Sequence, residues 1–99
     1  VTLQVYIRPE AEADLDDAAL WYQTQAAGLG YEFLDEIKKT LQIMADNPEI
    51  FQEIYKNVRR AIVQRFPFVI YYQIEEETIV VLGIIHASRN PHNWKKRLN

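Results

Sequence analysis

Leu3, Val5 and Ile7 alternate with Gln4, Tyr6 and Arg8, the period of a half-buried strand. Pro9 then suits the first turn of a helix, where its missing N–H costs nothing. Glu10, Glu12, Asp14, Asp16 and Asp17 crowd the N-terminal half of that helix, where negative charge complements the macrodipole. Ala11, Leu15, Ala18, Tyr22 and Ala26 recur at helical spacing as a narrow stripe, with Leu20 and Trp21 beside it. Gly28 and Gly30 punctuate its end. A second helix is predicted from about residue 31 to 45, with Leu34, Ile37, Leu41 and Met44 on one face. So short a connection makes the two helices an antiparallel hairpin. Asn47-Pro48 stops the second, because the residue before a proline is pushed out of the α region.

From Val58 the period changes to two. Residues 58–65, 68–74 and 78–86 read as three strands, with Phe66-Pro67 and Glu75-Glu76-Glu77 as the turns of an antiparallel meander. The order β-α-α-β-β-β predicts a single α+β domain over residues 1–99, a helix hairpin packed on an antiparallel sheet. Both parities of the last two strands are largely apolar, so the face away from the hairpin is expected to want a partner. The tail, residues 92–99, is basic and expected to make a short helical turn on the sheet.

Composition removes several function classes. The chain has 99 residues and no cysteine, which excludes disulfide scaffolds, thiol catalysis and cysteine-ligated metals. No apolar run approaches the ~20 residues that span a bilayer, so a cytoplasmic location is the expectation. The net charge of -3 conceals an asymmetry. Residues 1–55 carry eleven acidic against three basic side chains, and residues 56–99 carry three against eight. This asymmetry suits either one pole for an acidic partner and another that repels it, or an acidic helical half that simply solubilises itself.

Candidate chemistry is sparse. His86 ends the last strand, where a histidine can serve as a general base or simply as a satisfied edge residue. His86 and His92 lie six apart with no nearby acid, so no metal or other cofactor is expected. Arg59 shares a strand face with Ala61, Val63 and Arg65, whereas Arg60 shares the other with Val58 and Ile62. A guanidinium there can clamp phosphate or carboxylate, or pair with Glu53 or Glu75. Arg89, Lys95, Lys96 and Arg97 with Trp94 form a basic, aromatic cluster able to hold a nucleic-acid backbone. The five acids of the first helix read as a solvated face. Glycine-rich phosphate loops and the GxSxG elbow are missing.

The stretches PEAEADLDDAALWYQTQ, GLGYEFLDEI and NPEI resemble the RelE/ParE family of toxins from bacterial type II toxin–antitoxin systems. So does VRRAIVQRFPFVIYYQIEEETIVVLGIIHASRNPHNW, and the resemblance spans nearly the whole chain. Its most specific pieces are Arg59-Arg60 before FPFVIYY, and His86 to Pro91 with Trp94. It implies the same element order, growth inhibition, plasmid stabilisation and a cognate antitoxin whose disordered segment wraps the toxin. That antitoxin is expected against the apolar sheet face and the groove beside the hairpin, near Trp21, Tyr22 and Tyr72.

The family divides into ribosome-dependent mRNA endonucleases and poisons of DNA gyrase. Where the nucleases carry an arginine after the aromatic of the second meander strand, this chain has Val69; where some carry two lysines, it has Arg60 and Ile62. Only Arg60 and Arg89 remain in places that match the nucleases, with His86 available as a substitute base, and losing one charge-stabilising group typically costs ~10²–10³ in rate. Net acidity further disfavours docking on ribosomal RNA. The strand-end histidine, loop and tryptophan resemble the gyrase-poisoning branch more closely. The expectation is a non-enzymatic gyrase inhibitor presenting Arg59, Arg60, His86, Arg89 and Trp94 to its target. The alternatives are an mRNA endonuclease using Arg60, His86 and Arg89, and a degenerate toxin that only binds its antitoxin.

Overall fold

The computed structural model describes residues 2–89 and 95–97. Strand β1 (Gln4–Ile7) leads into helix α1 (Pro9–Gln25) and helix α2 (Leu29–Asp46). Strands β2 (Gln52–Tyr55), β3 (Val58–Ile62), β4 (Phe68–Glu75) and β5 (Thr78–His86) follow, and Lys95–Arg97 form one 3-10 turn. The two-layer α+β architecture is as expected, but the sheet has five strands, in the order β1-β5-β4-β3-β2. It is also mixed: β1 runs parallel to β5, Gln4 opposite Thr78 and Ile7 opposite Val81. The meander brings β5 back in the direction of β1, and the helix hairpin serves as part of the long crossover that a parallel pair requires. None of the described helices is long and apolar enough to cross a membrane.

β2 was invisible in the sequence because its turn lacks the usual glycine. Lys56 and Asn57 both take positive φ, 40° and 69°, so two non-glycine residues make a primed hairpin turn. Two hydrogen bonds from Asn57 hold the turn: its backbone N–H donates to Glu53 Oε2 at 3.1 Å, and its side-chain Nδ2 donates to the Ile74 carbonyl at 3.3 Å.

The two helices approach closely at Gly30. Gly30 lies inside the first turn of α2, not between the helices as the sequence suggested. A Cβ at Gly30 would sit 2.6 Å from the Ala19 carbonyl. Gln23 Oε1 accepts from both the Gly28 and Gly30 amides at 3.1 Å, satisfying α2 donors that have no helical partner. The buried stripe of α2 is Phe33, Ile37, Thr40 and Met44, with Leu41 half-buried against the core. Leu34, expected on the core face, is only half-buried.

The main core lies between helices and sheet and includes Phe33, Ile37, Met44, Ile70, Tyr72, Ile79, Val81 and Ile84. The opposite sheet face carries a second cluster of Val58, Val69, Tyr71, Leu82 and Ile85. Each of these is buried within this chain, so that face is not the bare apolar surface the strand patterns suggested. Tyr55 flanks it, with the Lys95 ammonium 4.6 Å from its ring centroid, so the tail reaches this side.

Candidate functional site: the groove between α1 and the end of β5

β1 pairs with β5 only as far as Val81, and β5 continues five residues beyond it. Leu82 is the extra residue of a bulge, since Tyr72 faces Val81 while Tyr71 faces Gly83. Among the described residues, the outer edge of β5 past this bulge has no neighbouring strand, and two side chains lie along it. Asp14 Oδ2 accepts the Ile84 amide at 3.1 Å, and Arg97 Nη1 donates to the Leu82 carbonyl at 3.0 Å. Arg97 also grips Asp14 through both terminal guanidinium nitrogens, Nη1 and Nη2, and its own carbonyl accepts from Arg8 Nη1 at 2.6 Å. The hydrogen bond to Asp14 raises the Arg97 pKa, with burial opposing. Asp14 is therefore structural, not the solvated helix charge expected of it.

Beside this edge opens a groove of about 900 Å³. One wall is α1, where Asp14, Asp17, Ala18, Trp21 and Tyr22 recur at the three- and four-residue spacing of one helix face. The other wall is the end of β5 with its following turn, which supplies Ile84, His86, Ser88 and Arg89. Phe68 and Pro67 belong to the lining, and Lys96 and Arg97 join it from the tail.

The floor is aromatic. Tyr22 packs against Phe33 and Phe66 at ring-centroid distances of 5.1 and 4.9 Å, and burial pushes its phenol pKa up. Trp21 stands edge-on to Tyr22 at 5.1 Å and 78°, yet is 58% exposed. His86 meets Phe68 edge-on at 5.3 Å. The Ser88 amide donates to His86 Nδ1 at 3.1 Å, and the Ser88 hydroxyl lies 2.8 Å from the same nitrogen. An amide donor requires a lone pair on Nδ1, so the neutral ring carries its proton on Nε2.

The residues singled out in the sequence divide sharply. His86, Arg89, Trp21 and Tyr22 come together in this groove, although the sequence placed them on separate target and antitoxin surfaces. Arg59 and Arg60 do not. Arg59 points to the helix side, donating to the Phe51 and Glu49 carbonyls at 2.7 and 3.2 Å and pairing with Glu53 at 3.8 Å. Its Nε is buried with no partner among the described residues. Arg60, on the other face with Val58, is exposed and two strands from β5. Tyr72 is 0% exposed, its hydroxyl donating to the Pro48 carbonyl at 2.9 Å, so no surface of it is presented to an antitoxin. Burial pushes its phenol up to about 12. Trp94 and His92 lie outside the described residues. Among the described residues, no three His, Asp or Glu side chains gather as a metal site.

Asp17, Ser88 and Phe68 are groove residues that sequence reasoning passed over. The positions 14, 17, 18, 21 and 22 carried the signal, one helical face mixing acids with aromatics, but it resembled a solvated stripe.

Over residues 5–91 the chain matches the family described as the ParE toxin of type II toxin-antitoxin system, parDE. The chain belongs to this toxin family. No curated protein matches it in sequence. Among solved structures, this ParE-family chain is similar to one from the chromosomal ParDE TA system of P. aeruginosa. The TM-score is 0.73 at 18% identity, over 88% of this chain and 98% of that one. It is also similar to a chain of the toxin-antitoxin complex RelBE2 from Mycobacterium tuberculosis, with a TM-score of 0.61 at 15% identity, over 87% and 99%. At such identities the likeness is one of fold.

Proposed function

We propose that this ParE-family toxin is held inactive by a cognate antitoxin and that, once released, it inhibits DNA gyrase by binding and not by cutting RNA. One observation carries the second half: His86 and Arg89 share a groove from which Arg60 is separated by strand β4 and the thickness of the sheet. Phosphodiester cleavage needs charge stabilisation and proton transfer at the same phosphate. The three residues a nuclease would use do not converge there. A binding toxin asks only for an exposed, shaped surface, and the groove supplies one.

The antitoxin half is supported by the family description and by the two similar structures, which come from a ParDE system and a RelBE2 complex. Trp21 and Tyr22 offer the apolar anchor that a partner segment folding on binding requires.

The test uses purified chain, DNA gyrase and supercoiled plasmid. Cleaved gyrase–DNA complexes are expected to accumulate, to be lost with His86→Gln and Arg89→Gln, and to persist with Arg60→Gln. Ribosome-dependent transcript cuts abolished by Arg60→Gln would establish the nuclease instead. Intact gyrase and intact transcripts would leave a toxin that only binds its antitoxin.

A further inference from the structure

The groove holds two kinds of side chain that the fold does not use. Most of the arginines are committed: Arg8 to the Arg97 carbonyl and Glu10, Arg59 to the segment before β2, Arg65 to Glu32 and Glu36, and Arg97 to Asp14. Arg89 and Lys96 are exposed and make no side-chain ion pair or hydrogen bond among the described residues. Trp21 is the other: a large ring fixed edge-on by Tyr22 and left more than half in water.

We propose that this groove binds a single-stranded stretch of DNA, with one base stacked on Trp21 and the adjoining phosphates held by Arg89 and Lys96. Sequence-tolerant single-strand binding combines these two elements, an aromatic platform and a cationic track. The volume of about 900 Å³ lies at the upper end of the ~300–1,000 Å³ range of organic ligand sites. Electrostatics sets the direction. Arg97 neutralises Asp14, so Asp17 is the one unpaired carboxylate in the described lining. The phosphates therefore lie toward the end of β5 and the base toward α1. With Nδ1 bound to Ser88, His86 presents Nε2–H as a donor to phosphate or base edge. The proposal rests on the gyrase reading only for the source of the strand, the DNA opened by the enzyme.

The test is fluorescence anisotropy of labelled oligo(dT) about twelve residues long, within the ~4–16 nucleotides such sites cover, against the full chain. Unlabelled oligo(rU), duplex DNA and polyglutamate serve as competitors. Trp21→Leu is expected to weaken oligo(dT) binding about tenfold or more, the scale of one lost base stack. Arg89→Gln and Lys96→Gln are each expected to lower the salt dependence of log K by about 0.7. All three positions are exposed, and unchanged melting temperatures would confirm intact folds. Equal binding by all three variants, or no binding, would overturn the site. Displacement by polyglutamate at equal charge would make it an acidic-peptide groove, and preference for oligo(rU) would make it an RNA site; either overturns the proposal. If oligo(dT) fails to bind but gyrase is still trapped, the inference falls and the gyrase reading stands. If it binds with the expected variant pattern but gyrase is not trapped, the gyrase reading falls and the site stands.

Discussion

Arg97 Nη1 lies 2.6 Å from Asp14 Oδ2, joining residues 83 positions apart and fastening the tail to α1 at the open edge of β5. Both side chains are about one-fifth exposed, so solvent screens the pair only partly. Hydrogen bonds to charged groups contribute ~1.5–3 kcal/mol, and Arg97→Ala should cost about 2 kcal/mol. In a domain this size that lowers Tm by on the order of 10 °C. Asp14→Ala should cost more, because the Ile84 amide loses its acceptor as well. Equal melting temperatures for Arg97→Ala and the parent would show that the latch holds nothing.

Neighbouring arginines should behave as opposites. Arg59→Gln removes two donors to backbone carbonyls from a side chain that is only 16% exposed, and should destabilise by about 2 kcal/mol in urea titration. Arg60→Gln, on an exposed position, should stay within ~0.5 kcal/mol. Similar losses at both positions would contradict the assignment of the two faces.

Gly30→Ala tests the hairpin. Its Cβ would meet the Ala19 carbonyl at 2.6 Å, a backbone atom that yields only if α1 and α2 separate. The loss should be about 1–3 kcal/mol, outweighing the helix propensity that alanine adds. A more stable Gly30→Ala protein in thermal melts would show that the helices pack less closely than described.

Tyr72 predicts an alkaline limb. Its phenol titrates near 10 in the unfolded chain and about 12 in the fold, so the unfolded state releases its proton first. The stability from this shift is fully present below pH 10 and is lost as pH rises from about 10 to 12, on the order of 2–3 kcal/mol. Tyr22, also raised by burial, adds to the same decline. Tyr72→Phe should be about 1 kcal/mol less stable than the parent at pH 8, through the lost bond to Pro48. Urea titrations should show that gap closing by pH 11; a constant gap would refute the shift.

Local pattern made most of the fold legible. β5 was expected at the bounds it has, and the proline start of α1 and Asn47-Pro48 stop of α2 were equally plain. β2 was not, because Lys56-Asn57 reaches positive φ without glycine, and the tertiary bonds of Asn57 help hold it there. The groove was half legible. His86 and Arg89 stood out as residue types at a strand end, as Trp21 did beside a helical stripe, but nothing local joined them.

The amino-acid sequence by itself determined the elements, their order, the two-layer class and the toxin family, since periodicity, turn chemistry and motif are properties of neighbouring residues. The tertiary structure alone decided which charges are spent and which are free. Alternation along β3 turned Arg59 inward and Arg60 outward, and the length of β5 beyond β1 left an edge for Asp14 and Arg97. A charge's role depends on what the folded chain brings within about 3–4 Å of it, and for Asp14 that partner lies at the far end of the chain.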